Sequence, residues 1–84
     1  MIAKRYTMSN LHIMVGSYII IGSYIRFVNE KFDPDRHRFL IVDNKENIPI
    51  ELLQYNNVIL INNDKRKFRK LLKYIENSDR VILH

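Results

Sequence analysis

Short apolar bursts and helical patterns alternate along the chain. The bursts fall at Leu11–Val15, Arg38–Val42, Val58–Ile61 and Val81–Leu83, the first a compact run of buried-strand length. Helical spacing fills Ser17–Phe32 and Asp64–Glu76 between them. This is the order of a parallel α/β sheet, because parallel neighbours need a crossover and helices over both faces. It predicts a partial Rossmann-like sheet of four parallel strands in the order 3-2-1-4, with right-handed crossovers and two main helices. The last burst runs into His84, the final residue. The pattern therefore reads as the first half of a nucleotide-type fold. Residues 1–8 read as a flexible leader, and residues 9–84 as the amino-terminal half of one Rossmann-like domain.

The first helix rests on Ile21, Ile25, Val28 and Phe32, spaced 4, 3 and 4 apart, with Tyr24 and Phe27 widening the face. Ser17 is placed to cap it, and Asp33-Pro34-Asp35 to stop it. The rival is a β-hairpin of Tyr18–Ile21 and Tyr24–Val28 about a Gly22-Ser23 turn. Gly22 costs a helix about 1 kcal/mol relative to alanine. The helix is preferred, since the spacing persists to Phe32 and the crossover requires one. Pro49–Leu53 reads as a single turn, with Pro49 at its first position. Phe68, Leu71, Leu72 and Ile75 give the cleanest helical stripe, expected to face the sheet, with Asp64 as its cap.

Composition narrows the function. A chain of 84 residues makes one domain. At this size it buries only about 60–65% of its unfolded surface and is marginal without a partner. It has no cysteine, which excludes a disulfide scaffold, a thiol nucleophile and a cysteine-type zinc site. The net charge of +5 is concentrated: Lys65, Arg66, Lys67, Arg69, Lys70 and Lys73 against Asp64 and Glu76 give six minus two, or +4, in one segment. One basic helix on a near-neutral body argues against a nucleic-acid partner. A solvated outer face is the plain reading. Yet Lys65, Arg66 and Lys67 crowd the helix start, where cations oppose the dipole by about 0.3–1 kcal/mol each. An anionic membrane surface would reward such a patch by about 1 kcal/mol per basic residue.

Lys4 and Arg5 precede an apolar stretch, Leu11–Ile25, as in a signal peptide or anchor. Its 15 residues fall short of a span, and it contains His12, Ser17 and Ser23. A strand running into a helix is the preferred reading, and a short membrane-anchored protein the alternative.

Candidate site residues are few. Gly16 and Ser17 form the first strand-to-helix turn, where such folds hold phosphates or sugars. One glycine there is no dinucleotide fingerprint. His12 lies among apolar neighbours and reads first as a hydrogen-bonded core residue. His84 ends the fourth strand beside the end of the first, at the switch point where ligands bind. His37 precedes a strand and reads as surface. The histidine spacing makes no metal site, and no cofactor is expected. Asp33 and Asp35 are turn chemistry, and no acidic pair is placed for catalysis. Asp43 ends the second strand where a ribose-binding acid would sit, but without the upstream glycines.

Four stretches carry a resemblance: Leu11-His12-Ile13-Met14; Phe27-Val28-Asn29-Glu30-Lys31-Phe32-Asp33; His37-Arg38-Phe39-Leu40-Ile41-Val42; and Asp79-Arg80-Val81-Ile82-Leu83-His84. Over residues 11–84 the chain resembles the amino terminus of the bacterial TDP-N-acetylfucosamine:lipid II N-acetylfucosaminyltransferase family. The resemblance implies two Rossmann-like domains, the amino-terminal one facing a lipid-linked acceptor and the carboxyl-terminal one holding the nucleotide-sugar. It implies metal-free transfer at the cytoplasmic membrane face in outer polysaccharide synthesis. The chain departs from the family by stopping before the glycine loop and the donor-binding domain, so it is expected to be inactive alone. A small α/β binding or regulatory module is the alternative from another class.

Overall fold

The computed structural model describes residues 8–84. The leader expected over residues 1–8 lies, Met8 apart, outside them. Strands β1 (Asn10–Ile13), β2 (His37–Val42), β3 (Val58–Ile61) and β4 (Arg80–Leu83) form one parallel sheet in the order β3-β2-β1-β4. The expected order is the observed one. Three helices connect them: α1 (Tyr18–Lys31), α2 (Ile50–Leu53) and α3 (Lys67–Glu76), with 3₁₀ turns at Pro34–Arg36 and Lys45–Asn47. In the register, Leu11 lies opposite Arg38 and Val81, and His12 opposite Phe39 and Ile82.

The pleat sends alternate residues to opposite faces. On one face Met14, Phe39 and Ile41 meet Ile21, Ile25 and Val28 of α1 and Leu52 of α2. On the other, Leu11, Leu40 and Ile61 meet Leu71, Tyr74 and Ile75 of α3. Helix α1 forms as one piece, so the hairpin reading falls. Ser17, in an extended conformation, accepts the Ile20 N–H on its hydroxyl and caps the helix. Gly22 stands where α1 approaches α2: a Cβ there would lie 3.3 Å from the Leu52 side chain. The glycine that weakens the helix by propensity lets the two helices close.

Several sequence expectations need correction. Phe27 and Phe32 do not join the buried face of α1. Phe32 has left the helix with extended backbone and packs edge-on against Phe27, both exposed. His37 is a strand residue and half-buried, because β2 begins at it. Helix α3 starts at Lys67 rather than just after Asp64; the Asp64 carboxylate accepts the Arg66 N–H at 2.8 Å in a preceding turn. Phe68 (66% exposed) and Leu72 (56%) do not face the sheet. Leu71, Tyr74 and Ile75 do, so the contact stripe is rotated and Tyr74 supplies its aromatic ring.

Leu11–Ile25 is divided between β1, the Gly16 turn and half of α1. No helix among the described residues is long and apolar enough to cross a membrane. The packing makes a direct contrast. Phe39→Ala, at a fully buried position, should cost about 3–5 kcal/mol. Phe68→Ala should stay within about 0.5 kcal/mol. Urea denaturation of the two variants checks this, and a large loss at Phe68 would contradict the orientation of α3.

Candidate functional site

The three histidines, far apart in sequence, meet in one hydrogen-bonded chain. His12, on the α1 face of central β1, is only 2% exposed. Its Nδ1 lies 3.0 Å from His84 Nε2, and its Nε2 2.9 Å from His37 Nδ1. The Tyr24 hydroxyl of α1 approaches the same Nδ1 at 3.4 Å. Phe39 stacks on the His12 ring with centroids 4.8 Å apart. The row of imidazoles thus crosses the sheet from the start of β2, over β1, to the end of β4.

The chemistry of this row follows from its hydrogen count. A neutral imidazole donates through one nitrogen and accepts through the other. With both His12 nitrogens engaged, the proton on one ring fixes the direction of both bonds. Protonated His12 would have two donors and need an acceptor on each side. Burial, then the neighbouring His37 and His84, lower the His12 pKa from 6.5 to about 4. Burial first, then the Arg36 charge, lowers that of His37, and Asp33 opposes the change. Neutral His12 at the centre of the row is therefore the favoured form.

His84 follows β4, and its N–H donates to the Ile13 carbonyl at 3.1 Å, continuing the ladder to the carboxyl edge. At that edge Gly16 adopts φ +127°, a conformation side chains rarely take, with open space about it. The Ser17 hydroxyl is engaged in capping α1. Next to this turn a cleft of about 210 Å³ is lined by Met14, Gly16, Tyr18, Ile41 and Asp43. The Tyr18 hydroxyl donates to the Asp43 carboxylate, which also accepts from Asn47 Nδ2 at 3.0 Å and Asn44 N–H at 2.7 Å. The Asn47, Tyr18 and Asn44 bonds, in that order of weight, lower the Asp43 pKa. Burial and the Asp43 partner raise Tyr18 to about 12.

The structure thus joins His12 to His84 directly. It sets Gly16 and Ser17 at the same end of the sheet without a hydrogen bond to either. His37, read as surface, is the third member of the row. Tyr18, Tyr24 and Asp43 also belong to the site. Asp43 stood at the expected strand end, but its glycine-free context argued against it. No signal in the sequence paired it with Tyr18.

The six basic residues lie on the opposite side, on and just before α3. Lys65, Arg66, Arg69, Lys70 and Lys73 are exposed, while half-buried Lys67 donates to Asn63 Oδ1 at 2.6 Å. Among the described residues no group of three histidine or acidic side chains converges to hold a metal. The row explains this for the histidines, since its bonds use different nitrogens of His12.

The depressed His12 pKa links the site to stability. The unfolded chain takes up this proton more readily than the folded one. The contribution of neutral His12 is whole above pH 6.5 and is lost as pH falls from there towards 4. NMR titration should place His12 near pH 4, and wild-type stability should fall across that window more steeply than that of His12→Gln. A His12 titrating at its ordinary value would contradict the buried row.

Comparison with protein-family models, curated proteins and solved structures finds no match for this chain.

Proposed function

We propose that this domain is the acceptor-facing part of a glycosyltransferase. It would help pass a sugar from a nucleotide-sugar donor to a lipid-linked saccharide, and would not turn over alone. The observation that carries the reading is His84 at the switch point between β1 and β4, tied to buried His12. Transfer of this kind needs a base. The acceptor hydroxyl attacks the anomeric carbon, its proton passes to the base, and the bond to the nucleotide diphosphate breaks. In this reading exposed His84 is that base, and His12 holds its ring. The resemblance noted in the sequence supports the choice of substrates.

Donor contacts belong to a second, carboxyl-terminal domain. The chain has two glycines, one of them inside α1, so it contains no glycine-rich phosphate loop. Membrane association at the cytoplasmic face falls to α3. Phe68 and Leu72 stand exposed among its cations, as an interfacial helix requires.

NMR with the isolated chain tests the acceptor site. A lipid-linked saccharide in detergent should shift Gly16, Ser17 and His84, His84→Ala should weaken binding, and a nucleotide-sugar should leave the spectrum unchanged. No response to the acceptor, or sugar transfer by the chain alone, would sink the reading. Sedimentation with anionic vesicles tests the membrane contact: binding should be salt-sensitive, absent on neutral lipid, and lost on replacing Lys65, Arg66, Lys67 and Lys70 with Gln.

A further inference from the structure

Beneath the carboxyl end of α3 lies a cleft of about 500 Å³ whose lining includes Arg38, Lys70, Lys73, Tyr74 and Asn77, and no carboxylate. Arg38 comes from β2 and points to the α3 face. Its Nη2 donates to the hydroxyls of Ser78 at 2.7 Å and Ser9 at 3.4 Å. Its guanidinium carbon lies 5.8 Å from the centre of the Tyr74 ring. Ser78 in turn donates to the Tyr74 carbonyl at 2.6 Å, so the clamp is anchored to the helix end. Arg38 Nε is buried without an acceptor. The adjacent acid, Asp79, accepts the Ser9 N–H at 2.8 Å.

A surface arginine ordinarily loses affinity to the entropy of a long, mobile side chain. Here serine hydroxyls and an aromatic ring already fix the guanidinium, and no carboxylate lines the cleft to match its charge. Support of the helix end explains the bond to Ser78. It does not explain why Lys70 and Lys73, one turn apart on α3, line the same hollow. Three cations about one concavity are complementary to a compact, doubly charged group. The planar fork of arginine matches phosphate oxygens two at a time.

We propose that the Arg38–Lys70–Lys73 cleft binds a phosphate group, carried by a soluble phosphomonoester or a lipid headgroup. This site is on the opposite face from the histidine row and does not depend on the transferase reading.

The test uses the 84-residue chain and inorganic phosphate, followed by NMR titration. Saturable shifts should appear at Arg38, Lys70, Lys73 and Asn77. Lys70→Gln/Lys73→Gln should weaken binding about tenfold or more, and Arg38→Lys, which keeps the charge and loses the fork, should weaken it measurably. Lys65→Gln/Arg66→Gln, before the other end of the helix, should leave it unchanged. Because Arg38 also braces the fold, the exposed lysine pair carries the decision. Vesicles containing phosphatidic acid, compared with phosphatidylserine vesicles at matched ionic strength, distinguish the sources: displacement of bound phosphatidic acid vesicles by free phosphate, but not by sodium chloride of equal ionic strength, assigns the lipid headgroup. Phosphate binding without competition assigns a soluble ligand. Absence of saturable phosphate binding, or equal loss in both lysine-containing double variants, overturns the proposal.

Discussion

Strand β1 is the constraint on which the rest depends. It has four residues and is hydrogen-bonded to β2 on one side and β4 on the other. A central parallel strand has no solvated face, so both of its surfaces need cover. Leu11 goes under α3 and His12 under α1. The two helices must therefore lie on opposite faces, which is what right-handed crossovers in the order β3-β2-β1-β4 produce.

Placing a histidine at that centre carries a condition. A buried imidazole with an unmatched nitrogen costs about 1–3 kcal/mol. His12 avoids this chiefly through partners 25 and 72 residues away in sequence, at 2.9 and 3.0 Å, with the Tyr24 hydroxyl farther off at 3.4 Å. The row therefore reports on register as well as burial. A one-residue slip of β4 would turn His84 to the other face and leave His12 Nδ1 with Tyr24 alone. An apolar residue in place of His12 would pack without regard to where the chain ends of β2 and β4 fall. The polar centre thus ties the pairing of three strands to one another.

The fold was legible because its period changes are clean. The spacing of Ile21, Ile25 and Val28 gives way to apolar bursts such as Phe39-Leu40-Ile41. Side-chain placement was less legible. Phe68 and Leu72 satisfy helical spacing as well as Leu71 and Ile75, and spacing alone does not say which neighbouring rows the sheet will cover. His12 and His84 were identifiable as polar marks at a strand centre and a strand end, but their contact was not. It depends on the lateral register of strands separated by most of the chain. His37 was missed because its apolar context begins only after it, at Phe39. Asp43 was undervalued because the ribose-binding rule needs glycines, whereas its actual partners are Tyr18, Asn44 and Asn47.

The sheet separates two kinds of chemistry. On the α1 side three imidazoles are joined in a hydrogen-bonded row, and burial keeps charge out of its centre at His12. On the α3 side cations gather about a clamped guanidinium. The two are not mechanically independent, because His37 and Arg38 are consecutive residues of β2. The pleat sends one to each face. The ladder to β1 holds both positions, pairing His37 with Asn10 and Arg38 with Leu11, so a twist of the strand there would move both side chains. The clamp of Arg38 against Ser78 and Tyr74 and the 2.9 Å approach of His37 to His12 thus rest on the same short stretch of backbone.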